Sequence, residues 1–306
     1  MVDEMAQVHQ QQNHPVLFAL TPHPLARSLC QQLPAQPGQL ASRRFPDGES
    51  YLRVESDVSG RPCIILADLS RPDDKYLPMI YLAATLRELG ATSVGLVAPY
   101  LCYMRQDRRF MPGEAVTSRI FAGQLSREVD WLITVDPHLH RYQSLDEIYT
   151  IPSRVLHATS LLTAWLATRE QLLLIGPDQE SHQWVSDVAK QSGHPFVIGT
   201  KLRRGDRDVQ VTLPDLRPYQ GRTAVIIDDV IASGETLLKT VDALQAQGLG
   251  TIDCAAIHGI FADSSDQRLL DKGVHQLVTT NSIPYAGPQL DLTALLLAPI
   301  REYVVR

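Results

Sequence analysis

Short apolar runs alternate along the chain with longer segments of helical period. The runs are apolar on both faces, which is typical of strands in a parallel sheet that helices cover on both sides. They fall at 16–20, 63–67, 93–98, 131–135, 172–175, 196–198, 224–227, 252–257 and 276–279. Segments of helical period are found at 77–89, 118–127, 180–190 and 236–247. This alternation predicts an α/β fold with mostly parallel sheets flanked by helices.

The two halves of the chain repeat the same elements in the same order. Leu86–Ala98 and Leu244–Ala256 are each typical of a helix that stops at a glycine, as in a left-handed C-cap, and is followed by a strand. The other matched pairs are Leu17–Pro22 with Leu172–Pro177, Cys63–Asp68 with Ala224–Asp229, and Val129–Asp136 with Val274–Asn281. Any two α/β units share such features, but four matches in one order predict a duplicated domain.

The length of 306 residues suits two domains of this kind. We expect a disordered polar tail at 1–13, an N-terminal domain at 14–153 and a C-terminal domain at 154–306. We also expect a helix at the C-terminus that can pack on the N-terminal domain.

Composition narrows the class of protein. The chain is 44% hydrophobic and 20% charged, as globular proteins are, and its net charge of -6 provides no overall field to hold nucleic acid. Any anion site must therefore be local. No apolar run reaches the roughly 18–20 residues that span a bilayer, and the polar start has no signal-peptide core. We expect a cytoplasmic protein that binds neither membrane nor nucleic acid.

The cysteines argue against a metal or disulfide framework. No two of them form a CxxC pair, and they lie in apolar surroundings, which favours buried free thiols. They are Cys30, Cys63, Cys102 and Cys254.

The sharpest chemical feature lies at the end of the strand predicted at 224–227. Asp228 and Asp229 follow it, and Ser233–Thr236 opens the next helix. The carboxyl ends of parallel strands face the ligand crevice, and a helix N-terminus offers free N–H groups to a phosphate. The two aspartates would repel phosphate but suit sugar hydroxyls or hydrated Mg²⁺. The alternative is an N-cap serine beside solvated aspartates.

Four other segments combine charge with a loop position. Phe45 lies close in sequence to the carboxylates Asp47 and Glu49, although a lone phenylalanine is more often core than ligand. Arg105 and Gln106 follow the strand at 93–98 and can reach phosphate oxygens, although the arginines nearby could also form a solvated basic face.

The remaining candidates are a histidine and a cationic segment. His138 lies beside Asp136 after a strand, where it suits Mg²⁺ or phosphate, although a lone histidine is usually structural. Lys201–Asp208 concentrates cations with Gly and Asp, which predicts a mobile loop able to close over a triphosphate. A solvated charged turn is the alternative.

Together these segments resemble the type I phosphoribosyltransferases and, more closely, the ribose-phosphate pyrophosphokinases. The strand–loop segment 224–237 is similar to their phosphoribosyl-pyrophosphate loop. The further collinear motifs are Phe45-Pro-Asp47-Gly48-Glu49, Pro99-Tyr100 with Arg105-Gln106-Asp107-Arg108, Val135-Asp136-Pro137-His138, Gly176-Pro177-Asp178, and Lys201-Leu202-Arg203-Arg204. The resemblance covers about residues 40–284.

This resemblance implies two duplicated phosphoribosyltransferase-like domains, Mg²⁺ as cofactor, and ATP and ribose 5-phosphate as substrates. The pyrophosphoryl group of MgATP would pass to the 1-hydroxyl of ribose 5-phosphate, giving PRPP and AMP. The resemblance implies catalysis by Lys201 and Arg203 and Mg²⁺ binding by His138 and Asp178. The implied ATP-binding residues are Phe45, Asp47, Glu49, Arg105, Gln106, Asp107 and His138. The implied ribose 5-phosphate-binding residues are Asp228, Asp229, Ser233, Gly234, Glu235 and Thr236. In the family the Phe-Asp-Gly-Glu loop reaches a neighbouring subunit's site, which implies at least a homodimer.

The chain departs from the family pattern in two loops. Gln179–Ser181 stands where most members have a residue followed by two glycines, and Ala232 and Glu235 replace an aspartate and a glycine. Glu180 would be favourable at a helix N-terminus if it points outward and unfavourable if it points into the site. These changes leave open a non-catalytic or regulatory paralogue and, less favoured, a phosphoribosyltransferase.

Overall fold

The computed structural model describes residues 14–139, 141–203 and 209–304, so the predicted tail at 1–13 lies outside the described residues. The chain divides into two units. The first comprises the residues up to Leu156 with Ser282–Pro284 and Leu292–Arg306, and the second comprises His157–Asn281 with Tyr285–Asp291. The expected boundary at 153/154 instead cuts into a strand of the first unit, because Ser153–Leu156 pairs with the strand at 131–135.

A parallel sheet forms the centre of the first unit. Its strands are β1 (Val16–Ala19), β2 (Gln36–Pro37), β5 (Pro62–Leu66), β6 (Ser93–Ala98), β7 (Trp131–Val135) and β8 (Ser153–Leu156). They lie in the order β2-β1-β5-β6-β7-β8, and every neighbouring pair is parallel. Between β2 and β5 the chain forms the antiparallel hairpin β3 (Leu40–Arg44) and β4 (Ser50–Val54). The helices are α1 (Pro24–Gln32), α2 (Asp73–Glu88), α3 (Thr117–Glu128) and, at the chain end, α8 (Thr293–Val304).

The second unit has a sheet of the same kind. Its strands are β9 (Leu172–Gly176), β10 (Phe196–Ile198), β13 (Thr223–Ile231), β14 (Ile252–Gly259), β15 (Val274–Thr280) and β16 (Gln289–Leu290). They lie in the order β10-β9-β13-β14-β15-β16, again with parallel pairs. The antiparallel hairpin β11 (Thr200–Arg203) and β12 (Val209–Thr212) is inserted between β10 and β13. The helices are α4 (Thr159–Ala167), α5 (His182–Ser192), α6 (Glu235–Ala246) and α7 (Ser265–Asp271).

The predicted duplication is confirmed down to the inserted hairpin, because both sheets share one strand order and carry the hairpin at the same point. One sequence match is wrong in register. Cys63 on β5 pairs with Val16 on β1, and its counterpart Ala224 on β13 pairs with Leu173 on β9. On their other side, Cys63 and Ala224 pair with Val94 and Ile252, two residues that the sequence match aligns. The sequence match would set Val16 against Gln171, two residues away. A shift of two keeps the same side chains on the same face, so the hydrophobic pattern cannot detect it.

The C-terminal helix α8 packs on the sheet of the first unit. The Tyr303 ring stacks on Trp131 with centroids 4.8 Å apart, and Arg154 donates to the Glu302 carboxylate at 2.8 Å. Gly95 on β6 makes room for the indole, since a Cβ at this position would come within 1.8 Å of Trp131. Glycine in β6 therefore permits the large side chain in β7 beside it.

Several local predictions hold and one is refined. Gly90 and Gly248 end their helices with φ of 91° and 82°, as the predicted C-caps require. The thiols are free and three are buried, but Cys30 on α1 is only half-buried. None of the helices in the described part of the chain has the length and hydropathy that a membrane crossing requires.

Candidate active site

The paired aspartates lie inside strand β13 and do not end it. β13 runs on to Ile231, and its pairing with β14 continues beyond Asp228 and Asp229 through Val230 and Ile231. The predicted strand end was therefore wrong by four residues. Branched side chains at 230 and 231 suit a strand, and the matching extension of β14 supplies their backbone partners. Only Ala232–Gly234 remains as the loop between β13 and α6.

This loop brings the chain sharply into helix α6. Gly234 has φ of 71° immediately before the first helical residue, and a Cβ there would lie 3.0 Å from Cβ of Ser265. The Ala232 carbonyl accepts from the Ala262 amide at 3.0 Å and from Ser265 Oγ at 2.8 Å. The loop is thus held from behind, and the first N–H groups of α6, which have no partner within a helix, are available to an anion.

Acidic groups concentrate beside the loop. Burial, then the neighbouring carboxylates of Asp229 and Asp178, raises the pKa of Asp228 well above its usual range. The backbone N–H of Asp229 donates to Asp228 Oδ1 at 3.0 Å. Such a cluster favours a cation or a polyol, since either one would compensate the mutual repulsion of the carboxylates.

Lys201, a cation that the sequence singled out, contacts one of these acids. Its Nζ lies 3.4 Å from Asp178 Oδ2, and both side chains are largely buried, at 19% and 18% exposure. Lys201 is on β11, so the predicted mobile loop has a hairpin base formed by β11 and β12. Residues 204–208 and the side chain of Arg203 lie outside the described residues, so the role of Arg203 stays a prediction.

The loop after β9 keeps its aspartate in place despite the missing glycines. Asp178 Oδ1 accepts from the Ser181 amide at 3.2 Å, and Ser181 Oγ donates to the Asp178 carbonyl at 2.7 Å. The short 3₁₀ turn Gln179–Ser181 leads into α5, and Glu180 is exposed within it. Glu180 is exposed at the start of a helical segment, where a negative charge is favourable, and which of its two orientations it takes stays a prediction.

Glu235 is engaged by a residue that the sequence did not single out. Its Oε1 lies 2.6 Å from Nη2 of Arg268 on α7, in the groove between α6 and α7. The predicted contact of Glu235 with ribose 5-phosphate would have to replace this pair. Ser233 and Thr236 lie at the loop end and in the first turn of α6, where the prediction places a phosphate.

The candidate purine-binding residues occupy the tip of the β3–β4 hairpin. The Phe45 amide donates to the Glu49 carbonyl at 2.8 Å, and Gly48 closes the turn with φ of 92°. Phe45 is 37% exposed, and Arg43 lies over its ring with 4.4 Å from Cζ to the centroid. Asp47 and Glu49 are exposed, so the turn presents one aromatic face and two carboxylates to solvent.

Arg105, Gln106 and Asp107 lie in the loop between β6 and α3 but differ in environment. Arg105 is exposed and Gln106 is half-buried, as groups that reach a ligand would be. The Asp107 side chain is only 1% exposed, and both its oxygens accept from Arg141 Nη1, at 2.8 and 3.0 Å. Asp107 therefore anchors the loop through Arg141, which is at odds with its predicted role as a direct ATP contact.

His138 follows β7 by three residues and is half-buried. Asp136 before it has a left-handed backbone, with φ of 36°, which turns the chain sharply after the strand. Among the described residues, no group of three or more His, Cys, Asp or Glu side chains could hold a metal ion. Mg²⁺ commonly takes one or two carboxylates together with substrate phosphates, so Asp178 beside Asp228 offers a suitable donor set.

In the first unit the corresponding strand end is filled by the chain itself. Asp68 follows β5, is buried, and accepts from Lys75 Nζ at 2.8 Å and from Ser70 Oγ at 3.0 Å. Lys75 also donates to the Ser70 carbonyl at 2.6 Å. An internal cation thus compensates Asp68, and in the second unit Lys201 lies beside Asp178.

Three partners escaped the sequence analysis: Arg141, Arg268 and Lys75. Each neutralises an acid that is 7 or more residues away along the chain. Lys75 lies one helical turn into α2 and could have been noticed as a cation following Asp68. The other two are brought to their acids only by tertiary packing.

The paired acids inside the central parallel strand β13, the short loop from it into α6 and the repeated sheet define a duplicated phosphoribosyltransferase-like protein. Residues 16–127 match the family model for the N-terminal domain of ribose phosphate pyrophosphokinase, and residues 144–291 match that for the phosphoribosyl transferase domain. The ribose-phosphate pyrophosphokinase of Methanopyrus kandleri is 34% identical over 85% of this chain and 89% of its own. The chain belongs to the ribose-phosphate pyrophosphokinase family.

Other relatives agree. The ribose-phosphate pyrophosphokinase of Thermoplasma acidophilum is 31% identical over 81% of this chain and 85% of its own. The crystal structure of phosphoribosylpyrophosphate synthetase from Mycobacterium smegmatis superposes with a TM-score of 0.80 at 24% identity, over 94% of this chain and 98% of that one. That similarity establishes the fold.

Proposed function

We propose that the chain transfers the β,γ-pyrophosphoryl group of MgATP to the 1-hydroxyl of ribose 5-phosphate, giving PRPP and AMP. The observation that carries this proposal is the pair Asp228 and Asp229 in β13, followed at once by the loop into α6. Carboxylates suit the ribose hydroxyls, and the N–H groups at the helix start suit the 5-phosphate. Family membership supports the same activity.

The chemistry in this proposal is positioning and charge compensation. Lys201, with Arg203, stabilises the charge that develops on the transferring group, and Asp178 holds the Lys201 ammonium until substrate replaces it. Mg²⁺, when bound, would neutralise part of the phosphate charge. Asp178 in the second unit is the Mg²⁺ ligand that its surroundings favour, and His138 in the first unit stays a prediction.

ATP recognition rests on the hairpin turn of the first unit. Phe45 stacks on the adenine, Asp47 and Glu49 accept from its amine, and Arg105 and Gln106 contact phosphate oxygens. Asp107 supports these two residues from behind through Arg141. We place Asp107 among the positioning residues for this reason.

A second copy of the chain completes the proposal. α2 and α3 of the first unit leave Leu77, Tyr81 and Ile120 exposed by 52%, 48% and 53%, which suits an interface with another subunit. We expect at least a dimer by light scattering after size-exclusion chromatography. A monomer at concentrations where the enzyme is active would contradict this part of the proposal. The cytoplasmic location stays a prediction from the sequence.

The decisive experiment measures AMP release from MgATP with and without ribose 5-phosphate, over a range of inorganic phosphate concentrations. We expect AMP and PRPP in equal amounts, only when ribose 5-phosphate is present. If AMP release does not depend on ribose 5-phosphate at any phosphate concentration, the proposed enzyme activity is wrong and the non-catalytic paralogue is favoured. A phosphoribosyltransferase would instead consume PRPP and a nucleobase.

A further inference from the structure

Helix α7 and the turn before it hold the loop between β13 and α6 from outside the predicted substrate position. Ala262 and Ser265 both donate to the Ala232 carbonyl. In the turn, Phe261, Asp263 and Ser264 have left-handed backbones with φ of 50°, 53° and 54°. Side chains other than glycine rarely adopt this conformation, so the turn is strained and held in place by its surroundings.

Arg268 extends this support to the charge of the loop. Its Nη2 lies 2.6 Å from Glu235 Oε1, and its Nη1 lies 3.5 Å from the Ser233 carbonyl. Glu235 is the first residue of α6, so it lies at the helix end whose N–H groups would bind a phosphate. A free carboxylate there would compete for those N–H groups and would repel a phosphate dianion.

We propose that Arg268 is a positioning residue for ribose 5-phosphate, which holds the Glu235 carboxylate in the groove between α6 and α7 and leaves the loop open to the substrate's phosphate. This inference rests on the proposed function. Glu235 acts as the partner of Arg268 and makes no contact with the substrate. The side chains of the pair are about half exposed, at 42% and 47%, so the ion pair adds little to folding stability. Its role is to hold the Glu235 carboxylate away from the loop.

A matched control lies one turn away on the same two helices. Lys272 at the end of α7 lies 2.5 Å from Asp242 of α6, in the same groove and with similar exposure. Lys272→Ala removes one positive charge, as Arg268→Ala does, but its acid Asp242 is two turns further along α6 from the loop and still has Lys239 at 3.9 Å. General loss of charge or of helix packing would affect both variants alike.

The test measures ribose 5-phosphate binding by calorimetry and its KM in the AMP-release assay, at low and at high ionic strength. Arg268→Ala should weaken binding and raise KM by about 3- to 10-fold at low ionic strength, with kcat little changed and a smaller effect in high salt. The double variant Arg268→Ala/Glu235→Gln should regain wild-type affinity. Lys272→Ala should stay within about 2-fold of wild type, since its charge is screened at that distance.

Each other outcome is decisive. Wild-type affinity in Arg268→Ala, or a double variant as weak as Arg268→Ala, would overturn the positioning role while leaving the proposed function intact. Weaker binding in Glu235→Gln alone would make Glu235 a substrate contact and overturn it as well. Absence of ribose 5-phosphate binding to the wild-type protein would instead remove the proposed function, and this inference with it.

Discussion

The ammonium of Lys201 lies 3.4 Å from the carboxylate of Asp178. The two residues come from separate motifs, one in the loop after β9 and one on β11. Their contact keeps a cation beside the acids of β13 before substrate arrives. Under the proposed function, a triphosphate would have to draw Lys201 away from Asp178.

Lys201→Ala should lower kcat for ribose-5-phosphate-dependent AMP release by about 100- to 1000-fold, the usual loss when one group that stabilises transition-state charge is removed. KM for ribose 5-phosphate should change little, because the lysine acts on the transferred group. Lys190→Ala, an exposed lysine on α5, is the control and should match wild type. An unchanged kcat in Lys201→Ala would remove the catalytic role of the hairpin.

Asp228→Asn should stabilise the substrate-free protein at neutral pH while impairing activity. Because burial and the nearby carboxylates raise the pKa of Asp228, the folded state binds this proton more tightly than the unfolded state does. The contribution of Asp228 to stability therefore falls as pH rises from the ordinary aspartate range through the raised pKa.

We expect Asp228→Asn to raise Tm near pH 7, and we expect this gain to shrink towards about pH 4, where the aspartate becomes protonated in the unfolded chain as well. Scanning calorimetry across pH measures it, with the exposed Asp187→Asn on α5 as control. A gain that persists unchanged at low pH would show that charge repulsion is not its source.

Arg141→Ala should destabilise the protein by about 1–3 kcal/mol, because it leaves the buried Asp107 without its partner. The estimate is below that for a fully buried pair since Arg141 is 42% exposed. Thermal unfolding measures the loss, and Arg127→Ala on α3 serves as an exposed control. If Asp107 instead contacts ATP directly, Asp107→Asn will raise KM for ATP while Arg141→Ala leaves Tm unchanged.

Lys75→Met tests whether Lys75 compensates the charge of the buried Asp68 after strand β5. The variant leaves Asp68 buried without its cation, and we expect a loss of about 3–5 kcal/mol in unfolding free energy. The double variant Lys75→Met/Asp68→Asn should recover most of this loss, because no uncompensated charge remains. Denaturant titration measures both. A double variant no more stable than Lys75→Met would indicate a packing defect rather than an unpaired charge.

Phe45→Ala should raise KM for ATP by about 5- to 150-fold, which corresponds to the roughly 1–3 kcal/mol of one base–aromatic stack. Tm should stay within error, since Phe45 is at a hairpin tip and 37% exposed. Phe45→Tyr is the control, because tyrosine keeps an aromatic face at the same position. Equal effects of both substitutions on KM would argue against adenine stacking at Phe45.

The α/β class and the doubled domain were predictable because strands buried on both faces have a pattern that local sequence carries. The alignment of β1 with its repeat counterpart β9 was not predictable, since a shift of two residues keeps each side chain on the same face of its sheet. The end of β13 was missed for a related reason. Polar residues at 228 and 229 suggested a strand end, yet pairing with β14 carries the strand past them.

By itself, the sequence determined the repeated α/β architecture and the segments that carry the chemistry, because both depend on residue type and on spacing within a short stretch of chain. Only the tertiary structure decided how the acids are compensated. Asp107 is paired by Arg141 and Glu235 by Arg268, each 33 or more positions away along the chain. Coulombic attraction depends on distance in space, and packing of separate helices and loops sets that distance. The same residue type thus reaches a substrate in one place and an arginine in another.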